Sequence, residues 1–103
     1  MSGGSLEREQ LDYAFPQPYR YSTDDFMYIP TRNNELGFAD LNVYTSSMDL
    51  VYERRKNIIA ADKIVVQWDA RDSNGDKLPT GVYIYATSSD DSIVKGKLII
   101  YND

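Results

Sequence analysis

Apolar and polar residues alternate with a period of two along most of this chain, and no stretch shows the 3.6-residue period of a helix. The cleanest case is Gly37 to Thr45, where Ala39, Leu41 and Val43 fall on one face and Asp40 and Asn42 on the other, so a half-buried strand is predicted. Ile64, Val66 and Trp68 alternate with Val65 and Gln67 between Lys63 and Asp69, which points Trp68 inward. Further strands are predicted at Asp24 to Pro30, from Leu50 to Glu53, at Gly81 to Thr87 and at Ile93 to Tyr101, where Gly96 marks a bulge or a close approach. Asn57 to Asp62 suits either a short strand or a loop packed on the core.

Turn formers separate these runs. Asn33 and Asn34 tolerate left-handed backbone, and Ser46, Ser47 and Asp49 mark a tight connection. Asp72 to Gly75 has Asp first and Gly fourth, as a type I turn prefers, with Asn74 and Gly75 suited to positive φ. Leu78 to Gly81 repeats that logic with Pro79 second and Gly81 fourth, and a side chain at Gly81 is expected to destabilise if that residue needs positive φ or a close approach. Pro16 and Pro18 fix φ and remove donors, so Tyr13 to Tyr21 is expected to lie along a sheet edge. About seven short strands with turns every 8 to 12 residues and no periodic helix predict an all-β antiparallel sandwich of the immunoglobulin-like or fibronectin III-like kind.

Composition fits a single domain. The 103 residues are 42% hydrophobic and 13% aromatic, enough for one packed core. Met1 to Ser5 lacks the apolar segment of a secretory signal, and residues 1–12 read as a flexible leader or linker before a domain at 13–103. A net charge of −5 argues against nucleic-acid binding, and no apolar run is long enough to span a bilayer. The basic run Arg54, Arg55 and Lys56 is expected at a strand end as a solvated edge or turn.

Chemistry is narrowed further by two absences. With no Cys and no His, disulfides, thiolate and imidazole metal sites, and Ser-His-Asp or Cys-His nucleophile systems are all excluded. What remains is an oxygen-rich cluster, Asp69, Asp72, Asn74 and Asp76, a weak calcium candidate because Ca²⁺ takes carboxylate and carbonyl oxygens. The cluster lacks the spacing of a calcium loop, and a loop closed by side-chain to backbone bonds is the preferred reading, with no cofactor. The acid pairs Asp24, Asp25 and Asp90, Asp91 read as solvated turn residues, not as the two carboxyls of a glycosidase. Tyr19, Tyr21, Tyr28, Tyr44 and Tyr83 could stack sugars if several shared an exposed face, but are expected mostly to cap the core with their hydroxyls reaching water.

The run Trp68-Asp69-Ala70-Arg71-Asp72-Ser73-Asn74-Gly75, followed by Leu78-Pro79-Thr80-Gly81-Val82-Tyr83-Ile84-Tyr85, resembles the WDGRD-x-NG…PSGVYFY pattern of the immunoglobulin-like domain related to the flagellar hook-capping protein. That domain recurs at the C-terminus of many secreted bacterial proteins and is similar to the C-terminal sorting domains of the type IX secretion system. Phe15-Pro16-Gln17-Pro18-Tyr19 is similar to its aromatic-Pro-Asn-Pro-aromatic entry motif, Leu41-Asn42-Val43-Tyr44 with Leu50-Val51 to its VYD-x-x-G-x-LV strand pair, and Lys97-Leu98-Ile99-Ile100 to its last strand. Three departures fall in turns: Gln17 for Asn, Ala70 for Gly, and Met48-Asp49 where a Gly-containing turn is common.

The resemblance implies structural roles for Pro16, Pro18, Trp68, Asp69, Asp72, Asn74, Gly75, Pro79, Gly81 and Tyr83, and no catalysis. It implies a monomeric accessory domain from the C-terminal end of a larger exported bacterial protein, extracellular or on the cell surface. Its partners would be parent-protein domains in cis and secretion or surface-assembly machinery. A carbohydrate-binding module using exposed tyrosines and a subunit of a hook-like filament stand as alternatives.

Overall fold

The structure is a computed structural model that describes residues 14–31, 37–60, 64–89 and 92–103. The expectations for residues 1–12, for Asn33 and Asn34, and for Asp90 and Asp91 lie outside the described residues. Seven strands form: β1 (Tyr19–Arg20), β2 (Met27–Pro30), β3 (Phe38–Thr45), β4 (Leu50–Ala60), β5 (Ile64–Trp68), β6 (Gly81–Ser89) and β7 (Ser92–Tyr101). Their order is β1-β7-β6-β3-β4-β5-β2, with every pairing antiparallel except β1 with β7. No helix forms among the described residues, and the fold is the all-β sandwich expected.

The alternation sets the core as the pattern predicts. Ala39, Leu41 and Val43 of β3 are buried, as are Met27 and Ile29 of β2 and Ile64, Val66 and Trp68 of β5. Val65 departs from expectation, being buried as well. Thr87 and Thr31, also buried, tie β6 to the end of β2: the Thr87 hydroxyl donates to the Pro30 carbonyl at 2.7 Å, and Thr31 Oγ1 lies 3.3 Å from Ser89 Oγ.

Two segments cross between the layers. β4 is one strand of 11 residues, not a short strand followed by an ambiguous patch. Its first part pairs with β3 as far as Phe38↔Asn57, and its last part pairs with β5 from Ile58↔Val66. The basic run therefore sits inside the strand, paired with β3 just before the change of partner. Tyr52 and Ile58 point inward on either side of it while Glu53, Arg54 and Arg55 stay in solvent, which is why the patch reads as a strand end in sequence. Arg55 Nε donates to Asp40 Oδ1 at 3.1 Å, an exposed pair that contributes little, and Arg54 Nη2 donates to the Ser73 carbonyl.

On the opposite side the N-terminal segment makes the same crossing. Phe15 exchanges two main-chain bonds with Tyr28 of β2, and four residues later Tyr19 and Arg20 pair with Ile100 and Tyr101 of β7. Pro16 and Pro18 occupy the gap, where the chain has left one ladder and not yet joined the other, so their missing N–H groups leave nothing unpaired. Both of their peptide bonds are cis.

The β3–β4 connection holds Met48 at φ 71°, with the Thr45 hydroxyl accepting from the Ser47 and Asp49 amides. A left-handed residue other than Gly costs about 1 to 2 kcal/mol, and Gly gives back about 0.5 to 1 kcal/mol in lost chain entropy. Met48 is well exposed, so its side chain contributes no burial. Met48→Gly is expected to stabilise the domain by roughly 0.5 to 1 kcal/mol. A melting temperature at or below that of the parent would show that the turn carries no such strain.

Candidate functional site

The 69–80 loop between β5 and β6 contains every residue of the acidic cluster, and its backbone explains why those residue types stand there. Asp72 Oδ1 accepts from the amides of Asn74 and Asp76, both at 2.9 Å, while the Asp72 amide donates to the Asp76 carbonyl. The Gly75 amide returns to the Asp72 carbonyl at 2.9 Å, closing the turn predicted for Asp72 to Gly75, and Gly75 takes φ 90°. Asn74 does not adopt positive φ. Asp69 Oδ1 accepts from the Arg71 amide, and the Arg71 guanidinium donates to the Gly75 carbonyl.

The four acidic-cluster residues are thus close in chain but not convergent. Asp69 and Asp72 turn oxygens toward backbone amides of their own loop. Among the described residues no three acidic side chains come together as a metal site.

The loop is anchored to the core by ring edges. Trp68, fully buried and tilted against Tyr52 at 5.3 Å, donates from its indole Nε1 to the Arg71 carbonyl at 3.0 Å. Tyr21 closes the other side: its hydroxyl donates to the Ala70 carbonyl and accepts from the Leu78 amide at 2.9 Å, so one side chain joins both ends of the loop. Ser73 docks on β4, its amide bonded to the Val51 carbonyl and its hydroxyl accepting from the Glu53 amide.

No main-chain bond links Gly81 back to Leu78, so the Leu78 to Gly81 segment is not closed by its own backbone. The segment is held from outside instead. Tyr83, near the start of β6, donates to the Pro79 carbonyl at 2.7 Å, as the tyrosine corner of immunoglobulin-like domains does. Asn102 bonds both Thr80 Oγ1 and the Leu78 carbonyl. Gly81 has neither a positive φ nor a close approach, since a Cβ there would meet only the Tyr83 ring at 3.8 Å. Neither condition that would make a side chain costly at Gly81 is met.

Gly96 is a close approach and not a bulge. It pairs with Tyr85 in an unshifted ladder, and a Cβ at Gly96 would fall 2.5 to 2.8 Å from the Tyr85 hydroxyl and ring. The register shift lies elsewhere, between Val43 and Tyr44.

The five tyrosines do not form a sugar-stacking face. Tyr19 and Tyr83 are buried, Tyr28 stacks on Phe15 at 5.1 Å, and Tyr44 is linked to Asn42. Three of their hydroxyls donate to loop carbonyls: Tyr19 to Asp24 and Asp25, Tyr21 to Ala70, Tyr83 to Pro79. Asp24 likewise serves a turn, its carboxylate accepting from the Arg20 amide at 2.9 Å.

Burial raises the pKa of Tyr19, Tyr21, Tyr52, Tyr83 and Tyr85, with Tyr19 pushed up to about 12 by burial first and by the charges of Tyr21, Asp24, Asp69 and Asp25 after it. A phenol with a raised folded pKa keeps its proton after the unfolded chain has lost its own. Stability is then fully present below the unfolded value of about 10 and falls as pH rises toward 12. The melting temperature is expected to drop steadily from pH 10 upward. A flat profile to pH 11.5 would contradict this burial.

No family model matches the chain, and no curated protein sequence does. Among solved structures the chain is similar to PorZ of Porphyromonas gingivalis, described as an essential bacterial surface component of the type IX secretion system. The likeness has a TM-score of 0.59 at 19% identity and covers 85% of this chain but 11% of that one. At that identity it shows the fold: one β-sandwich domain shared with a much larger protein.

Proposed function

We propose that this chain is a non-catalytic immunoglobulin-like accessory domain of an exported bacterial protein, serving secretion, surface attachment or assembly. The observation that carries the reading is the sandwich likeness to one domain of PorZ together with the Trp68 to Tyr85 motif, whose polar residues are engaged in closing a loop. The resemblance to the hook-capping-related domain supports the same reading from the residues. Partners in cis, the secretion machinery and a surface location belong to it, as does the absence of an enzymatic role.

The test is delivery. The sequence fused behind a signal peptide and a reporter, in a bacterium with a type IX system, is expected to bring the reporter to the surface or the medium. Retention of the reporter in the periplasm, at the level seen without the domain, overturns the sorting role.

A further inference from the structure

We infer that the free edge of β7 is a docking site for an extended, acidic strand of a protein partner. The inference rests on the reading of this chain as a protein-contact domain and names the surface it uses. β7 runs from Ser92 to Tyr101, but β1 pairs with only Ile100 and Tyr101 of it. The Gln17 side-chain amide reaches one more group, the Lys97 carbonyl, at 3.2 Å.

Because Gln17 precedes β1 and β1 lies on the side of β7 away from β6, that bond also shows which way Lys97 points its backbone. In a strand, N–H and C=O of one residue face the same neighbour, and the direction alternates along the chain. The main-chain groups of Lys95 and Ile93 therefore face away from β6 as well. Among the described residues nothing pairs with them there. Such a row of unpaired donors and acceptors is the template that strand addition uses.

Charge selects the occupant. Ile93, Lys95 and Lys97 project to solvent on the same face of this edge, and among the described residues neither lysine is in an ion pair. Lys95 and Lys97 are the charged residues of β7 itself. An added strand places side chains directly opposite these residues, where opposite charges are favourable and like charges are not. The fitting partner carries Asp or Glu at two positions spaced i, i+2, to face Lys95 and Lys97, with an apolar residue to face Ile93.

A second copy of this chain fits poorly. Two β7 strands pairing antiparallel about Lys95, Gly96 or Lys97 set lysine against lysine or, about Gly96, Lys95 against Lys97.

The experiment uses the whole chain and two synthetic ten-residue peptides of alternating Thr and Val, one with paired Glu residues and the other with Lys in their place. The acidic peptide is expected to bind at least tenfold more tightly than the basic one and to slow amide exchange at Ile93 and Lys95. Lys95→Pro, which removes only the outward amide, is expected to abolish binding, while Lys95→Ala weakens it a few-fold; K95E/K97E reverses the peptide preference.

Equal affinity for the two peptides, or unchanged exchange at Ile93 and Lys95 with the acidic peptide bound, overturns the proposal and leaves the lysines as guards against edge pairing. A dimer in light scattering that Lys95→Pro dissolves overturns it in favour of a second copy. None of these outcomes touches the reporter assay, so failure here and failure of the sorting role are separable.

Discussion

Trp68→Ala is expected to cost about 3 to 5 kcal/mol, the range for truncating a fully buried aromatic, and to lower the melting temperature by more than about 10 °C. Three losses add up in this variant. The indole leaves a cavity between the two layers, Tyr52 loses its ring partner, and the Arg71 carbonyl loses its donor. The last of these separates the roles of core and loop. Trp68→Phe keeps much of the volume but not the indole N–H, so it is expected to cost less overall while loosening the 69–80 loop. Hydrogen exchange at the Asn74 and Asp76 amides reads that loosening. Since Trp68 is the sole tryptophan, unfolding must be followed by circular dichroism. A Trp68→Ala melting temperature within error of the parent would show that the sandwich does not depend on this side chain.

Gly96→Val is the second large effect. The Tyr85 ring lies across Gly96 with no room for a Cβ, and Tyr85 is itself fully buried, so the ring has nowhere to move without disturbing the core. Overpacking of this kind costs about 1 to 3 kcal/mol, and more where backbone must shift. Gly96→Ala is expected at the lower end. The clash predicts strong non-additivity: combined with Tyr85→Leu, which removes the obstructing ring, Gly96→Ala should cost less than in the parent background. Additive costs would refute the proposed clash.

Among the described residues, the two non-glycine residues at positive φ are Met48 and Ala70. They fall at the positions where this sequence departs from a glycine in the pattern it resembles. At both positions the left-handed backbone costs stability that a glycine would not. At Ala70 the conformation aims the carbonyl at the Tyr21 hydroxyl, so the constraint there is tied to how the loop is held.

Local pattern was enough to place β2, β3, β5, β6 and β7, the inward face of β3, the inward tryptophan and the Asp72 turn. Each depends on side-chain alternation or on one residue's own backbone preference, and both are written within a few residues of chain. The tertiary structure decided what depends on distant partners. β4 continues through Arg54, Arg55 and Lys56 because these residues pair with β3, and it then changes partner to β5 at Ile58; no local pattern encodes a change of neighbour. Leu78 to Gly81 carries turn residues yet is held by Tyr83 and Asn102, and the tyrosine hydroxyls find carbonyls up to 49 residues away in sequence. The open edge of β7 was likewise invisible in sequence, since an edge exists only once it is known which strands stop short of it.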